Sequence, residues 1–420
     1  MGDAGGECLL GVTAAHLFPK AGDPAGMSTP DAGIAPLKVC FFLNAQTHML
    51  MHTVPIAISL SHDRRFETHV MAATAAHIEH ARAMALKGGA GPIGFEQIGG
   101  RWLERAARFT GASIPPKLLS LAVASRRLMG FDAVVLPERT SLLLRRMGCG
   151  HLRFVHTTHG AGDRAIGFDP RIRQFDFVLL AGEKQRRRML AKGLIREGRY
   201  AVVGYPKFDA VALCRPEAST LFRDERPVVV YNPHSSRALS SWERMGEAIL
   251  RQAAAEPRYN LIVAPHIKLF DRHGDRLRAE RLLAPYRSCA NIHIDLGSSR
   301  CIDMTYTTMA DIYLGDVSSQ VYEFIARPRP CLFLNAHGVA WRSDENYAHW
   351  RYGRVLDSAD RILDALDSAC NEHGTYLAAQ QEGLQGTFDM GREPPSARAA
   401  QAMAEFLLRP AAKASGGFHA

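Results

Sequence analysis

From position 37 onward the chain alternates short apolar runs with longer amphipathic stretches, and it does so in two successive series. In the first, runs at 38–43, 68–71, 133–136, 153–157, 177–180 and 201–203 read as strands, and a helical segment opens at Ala45. Between 213 and 226 the periodicity is lost and charge accumulates. A second series then starts at 227–231 and continues through 260–264, 291–294, 311–314 and 331–334, separated by helical patterns such as 241–255. Strands that alternate with helices at this spacing form βα units on parallel sheets, so two α/β domains in tandem follow. The organisation is a tail (1–36), a first domain (37–212), a linker (213–226), a second domain (227–375), a helical extension (376–410) and a short tail (411–420). Apart from the βα alternation no repeat of solenoid length is visible.

Composition narrows the partners rather than the fold. With 47% hydrophobic and 22% charged residues over 420 positions, two cores can be filled, and neither a disordered chain nor a small stapled module fits. Lys and Arg outnumber Asp and Glu 51 to 42, a net charge of +9 that favours anionic partners: nucleic acid, nucleotide phosphate or anionic lipid. The eight cysteines show no C-x-x-C spacing and read as reduced thiols in a cytoplasmic protein. Residues 1–36 lack the basic start and apolar core of a signal peptide. No stretch approaches the ~20 apolar residues of a spanning helix, so membrane contact would be peripheral. The basic run KQRRRMLAKGLIR at 184–196 carries apolar residues at helical spacing and no interleaved aromatics. It reads as a solvated helix face, then as a contact for an anionic membrane, and not as a nucleic-acid site.

Three polar clusters follow apolar strands, at the carboxyl ends where open α/β sheets bind ligands. They are HTTHGAGDRAIGFD at 156–169, APHIKL at 264–269 and YLGDVSSQVYEFIA at 313–326. In the third, Asp316, Ser318 and Ser319 precede an expected helix over 320–326, so two hydroxyls and unpaired backbone N–H groups offer a phosphate seat or a simple cap. In the first, His159 stands before Gly160 and near Arg164, a titratable base beside a cation. His266 and Lys268 offer a hydrogen-bond donor and a charge. The segments GYPKFDAV at 204–211 and YNPHSSRALSSW at 231–242 place Lys207, Asp209, His234 and Arg237 after strands, facing a cleft or lying in ordinary turns.

In this order the clusters resemble the CDP-glycerol glycerophosphotransferases, enzymes of teichoic-acid-type polymer synthesis. The resemblance spans roughly 150–375, with GDVSSQVYEF its most specific element. It implies a GT-B fold: two Rossmann-like domains facing across a cleft, with the acceptor on the first and the nucleotide donor on the second. It further implies His159 as the base that activates the acceptor hydroxyl, His266 as an assistant at the phosphates, and Asp316, Ser318 and Ser319 beside the donor pyrophosphate. Val317 replaces the family's usual aromatic and Glu323 its usual Asp. The expected reaction moves glycerol phosphate, or a related polyol phosphate, from a CDP donor to a hydroxyl of a glycan or lipid-linked acceptor, on the inner face of the cell membrane. A nucleotide-sugar glycosyltransferase is the alternative enzyme, and a non-catalytic nucleotide or polyanion binder the alternative class. A nucleotide-sugar 2-epimerase ranks below them, since Ser319 leads into Gln320 and no Ser-Gly-Gly occurs there.

No D-x-D motif occurs, so no obligatory metal is expected and phosphate charge falls to Arg164, Lys268 and the serine-tipped helix; no cofactor is expected either. GAGPIG at 89–94 fits G-x-G-x-x-G but follows no strand. His48 and His52 share a helical face without a third ligand. With Asn44 they read as the acceptor side of the cleft or as packing. The aromatic run WRSDENYAHW at 341–350 reads as a contact for the donor base or as interdomain packing.

Overall fold

The computed structural model describes residues 35–44, 46–100, 103, 115–158, 160, 167–214 and 221–409. Thirteen strands among them form two wholly parallel sheets. The first comprises β1 (Leu37–Leu43), β2 (Phe66–Ala72), β3 (Ile93–Gln97), β4 (Ala133–Leu136), β5 (Arg153–Thr157), β6 (Phe177–Leu180) and β7 (Tyr200–Val202), in the order β3-β2-β1-β4-β5-β6-β7. The second comprises β8 (Val228–Asn232), β9 (Asn260–Val263), β10 (Ile292–Ile294), β11 (Ile312–Gly315), β12 (Cys331–Leu334) and β13 (Arg354–Leu356), in the order β10-β9-β8-β11-β12-β13.

The unbroken apolar runs follow from burial on both faces. In β1, Val39, Phe41 and Leu43 enter one core while Cys40 and Phe42 enter the core on the opposite face. In β11, Ile312 and Leu314 face one core and Tyr313 the other. A strand covered by helices on each side cannot spare alternate positions for polar groups. β3 and β13 escape the sequence reading because they are half-buried edge strands that carry glycine or polar residues, Gly94, Glu96 and Gln97 in one and Arg354 in the other, whereas the apolar edge strand β7 is read. Within GAGPIG a strand begins at Ile93, after the helix Ala75–Lys87, which is the reverse of the strand-to-helix turn a dinucleotide site needs.

Six helices matter for the site: α1 (Leu50–Leu60), α2 (Lys117–Leu128), α3 (Glu183–Ala191), α4 (Lys207–Cys214), α5 (Gln320–Phe324) and α6 (Pro395–Leu408). α5 is shorter than the expected 320–326, with Ile325 already outside helical bounds. α6 crosses back to the first domain. Its Ala399, Met403 and Leu407 join the core of β1 and α1, and Asp209 accepts the Ser396 amide near its start at 2.7 Å. At the other end Arg153 donates to the carbonyls of Phe406, Leu407 and Arg409, groups that a helix C-terminus leaves unpaired.

Each sheet reverses its strand order at the centre, between β1 and β4 and between β8 and β11. Loops leaving the carboxyl ends of those strands diverge, and a crevice opens there. The two crevices face each other across one cleft.

Candidate functional site

The cleft has a volume of about 450 Å³ and draws its walls from both switch points. His48 and His52 after β1, Glu138, Arg139 and Thr140 after β4, and Thr158 and Gly160 after β5 form the first-domain wall. His234 and Ser235 after β8, His266, Ile267 and Lys268 after β9, and Val317 to Gln320 after β11 form the opposing wall. All three polar clusters singled out in the sequence therefore send residues into one cavity.

His159 and Arg164 lie outside the described residues, as does Ala45. Gly160 adopts φ +86°, the left-handed region open to glycine, and a Cβ there would stand 3.9 Å from Ser319 Oγ. Gly160 thus abuts Ser319 of the second domain. Ser318 is buried, and its hydroxyl accepts the Gln320 amide, the first N–H of α5, at 3.3 Å. Ser319 makes no side-chain cap bond. With only five residues in α5, its macrodipole is short, and the hydroxyls and local N–H groups outweigh it.

Asp316 stands behind the cleft lining. It is fully buried, and its carboxylate accepts the amides of His234 (2.9 Å), Ser241 (2.7 Å) and Val317 (2.7 Å) and the Ser241 hydroxyl (3.0 Å). Burial pushes its carboxyl up to about 6 despite those donors. It ties the loop after β8 to the loop after β11 rather than facing the cavity. Trp350 packs below: its Nε1–H donates to the Asp316 carbonyl at 2.9 Å, and His349 does so at 3.3 Å. Of the run 341–350, Trp350 belongs to packing inside the second domain, while His349 also reaches the cavity.

His266 and Lys268 both line the cleft, and the Lys268 amide donates to His266 Nδ1 at 3.2 Å. Burial holds the Lys268 ammonium below its ordinary pKa, and Lys117 across the cleft pushes it the same way. His234 and His266 face each other with ring centroids 6.0 Å apart.

Lys207 lines the cleft and pairs with Glu323 at 2.7 Å. Asp209, two residues on, turns away to hold α6, and burial raises it to about 6. Arg237 is half-exposed, pairs with Asp275 and Glu243, and does not line the cleft. Asn44 is fully buried at the end of β1, with neither amide atom hydrogen-bonded, and is not part of the lining. His48 and His52 do line it, His52 meeting Tyr205 edge-on at 5.0 Å. Among the described residues no group of three or more His, Cys, Asp or Glu is placed to hold a metal ion.

The basic run at 184–196 supplies α3, whose face is less free than its composition suggests. Lys184 donates to the Tyr322 hydroxyl at 2.9 Å and Arg188 pairs with Glu345 at 3.4 Å, so both reach the second domain. Among the described residues no helix is long and apolar enough to cross a membrane.

Sequence reading passed over Tyr205, Gln185, Lys117, Arg139 and Arg171, all in the lining. Tyr205 lay inside GYPKFD, and its neighbour Lys207 was the signal. Arg139 and Arg171 follow β4 and β5 but sit in segments without a recognisable pattern.

No protein-family model matches the chain, and no curated protein matches it in sequence. Solved structures do match in shape. The UDP-GlcNAc 2-epimerase from Methanocaldococcus jannaschii, in complex with UDP-GlcNAc and UDP, is 14% identical with TM-score 0.58, over 88% of this chain and 100% of that one. The wall teichoic acid polymerase TagF soaked with CDPG is 12% identical with TM-score 0.58, over 88% and 87%. The UDP-GlcNAc 2-epimerase from Neisseria meningitidis bound to UDP-GlcNAc is 13% identical with TM-score 0.54, over 90% and 100%. The class that sheets, cleft and likenesses define is the GT-B fold.

Proposed function

We propose that the protein is a GT-B transferase that moves glycerol phosphate, or a related polyol phosphate, from a CDP-activated donor to a hydroxyl of a glycan or lipid-linked acceptor. The observation that carries this reading is the convergence in one cleft of Gly160, His266, Lys268, Ser318 and Ser319, from segments spread over some 160 residues. The second-domain wall takes the donor diphosphate, with Ser318, Ser319 and Lys268 meeting its oxygens and His266 donating to one of them. The acceptor enters along the first-domain wall, past His48. His159, adjoining Gly160, takes the proton of the acceptor hydroxyl, with Arg164 adding charge. The acceptor oxygen attacks the polyol-bearing phosphorus, the bond to the bridging oxygen breaks, and CMP leaves with the electron pair. Peripheral contact with an anionic membrane would bring a lipid-linked acceptor to this mouth.

A second reading is favoured by the two neighbours solved with UDP-GlcNAc: a nucleotide-sugar enzyme using the same cleft. One assay separates them. Purified protein is offered CDP-glycerol, CDP-ribitol and UDP-sugars with a mixed glycan acceptor pool, and the released nucleotides are identified. CMP release from a CDP-polyol is expected, and His159→Ala should lower turnover by ~10² to 10⁴. Turnover of a UDP-sugar with no CDP-polyol consumed would overturn the assignment. Nucleotide binding without turnover, unchanged by His159→Ala, would mark a non-catalytic binder.

A further inference from the structure

The two domains meet at the cleft through a buried polar cluster that the proposed chemistry does not use. Tyr205 and Lys207 stand where the chain leaves β7 and enters α4, and Glu323 stands in α5. Lys207 Nζ lies 2.7 Å from Glu323 Oε1, and the Tyr205 hydroxyl donates to the same oxygen at 3.0 Å. The side chains of Lys207 and Glu323 are each 6% exposed. On its other side the Tyr205 hydroxyl has the Gly160 backbone N–H beside it, placed to donate. A phenol has one proton to give and lone pairs to receive, so both bonds can form together. The result is a continuous chain from Gly160 through Tyr205 to Glu323, with Lys207 as the countercharge.

Stability alone is a poor account of this arrangement. Removing a carboxylate and an ammonium from water costs about what their attraction returns, and well-packed apolar residues often serve as well. What apolar residues would not provide is a fixed direction between particular atoms. Here the atoms joined are the backbone of the residue after the candidate base and the helix that begins beside Ser318 and Ser319. Gly160 and Ser319 are also near neighbours, the Cβ position of one lying 3.9 Å from the hydroxyl of the other.

We propose that Tyr205, Glu323 and Lys207 are positioning residues that set the Gly160 backbone, next in sequence to His159, against the Ser318–Ser319 end of α5. The inference rests on the transferase reading and adds to it the residues that hold acceptor and donor sides in register across the domain boundary. Glu323 is the hub, since both partners from the first domain converge on one of its oxygens.

The test uses the full chain. Tyr205→Phe deletes one hydroxyl, and it should leave CMP affinity within about 2-fold of wild type while lowering kcat between about 10- and 100-fold, the loss that misplacement on the order of 1 Å produces. Hydrogen–deuterium exchange of the peptide containing Gly160 should quicken in the same variant. Lys207→Met leaves the Glu323 carboxylate buried without its countercharge and should lower kcat as Tyr205→Phe does. Where single variants fold poorly, the apolar pair Lys207→Met with Glu323→Met restores a neutral interior, and it should fold and show the same loss of kcat. Faster exchange at Gly160 with kcat within about 2-fold of wild type would overturn the proposal, as would a double variant of wild-type activity. If wild-type protein turns over no nucleotide donor at all, the transferase reading fails. The exchange measurement then still decides whether Tyr205 holds Gly160, and unchanged exchange would sink that as well.

Discussion

Replacing Asp316 by Asn tests whether a fully buried carboxylate holds the donor side of the cleft together. In the native chain four donors converge on its two oxygens within 3.0 Å: the amides of His234, Ser241 and Val317, and the Ser241 hydroxyl. An Asn side chain keeps one acceptor oxygen and turns an NH₂ group toward the other donors, so about two of the four lose their partner. A buried donor left unsatisfied costs about 1–3 kcal/mol, which puts the expected destabilisation of Asp316→Asn at about 2–6 kcal/mol. Ser241→Ala is the graded control. It removes one hydroxyl bond to Asp316 and one to Tyr231, leaves the backbone donors paired, and should cost about 1–2 kcal/mol. Urea unfolding followed by tryptophan fluorescence reads both, because Trp242 and Trp350 pack within the same domain. CMP binding measured below the transition should weaken in Asp316→Asn, since the loops it ties carry His234 and Ser318. An Asp316→Asn variant within about 1 kcal/mol of wild type, with unchanged CMP affinity, would refute the reasoning.

Further outcomes follow from the same geometry. Asp209 is raised from 3.8 to about 6 by burial, so its contribution to stability is present below the lower value and lost as pH rises through the higher. Between pH 4.5 and 7.5 wild type should lose about 2 kcal/mol more than Asp209→Asn does, measured by urea titrations at the two pH values. Gly160→Ala forces a β-carbon onto a left-handed backbone beside Ser319; it should cost roughly 1–2 kcal/mol and lower kcat, read by thermal unfolding and turnover. Lys268→Ala should weaken CMP binding by a factor that shrinks at high salt, because the lost group is a solvent-exposed charge on the cleft wall.

The sequence by itself determined the two tandem βα series. A strand covered on both faces must be apolar at every position, and runs such as 133–136 and 331–334 announce that requirement without help from the rest of the chain. Strand ends were legible too, because His266, Ser318 and their neighbours follow those runs directly, and parallel sheets put their loops on one edge. Edge strands β3 and β13 were not legible, since half-covered strands tolerate glycine or polar residues such as Gly94, Glu96 and Arg354. Tertiary structure alone decided which polar residues face the cavity. Asp316 and Asp209 look like ligand groups in sequence, yet one is consumed by backbone amides of a neighbouring loop and the other by the start of α6, partners as much as 187 positions away. Tyr205, Lys207 and Glu323 became a unit only when the domains docked, because a hydrogen bond depends on angles and distances of a few ångströms that no local pattern of residue types encodes.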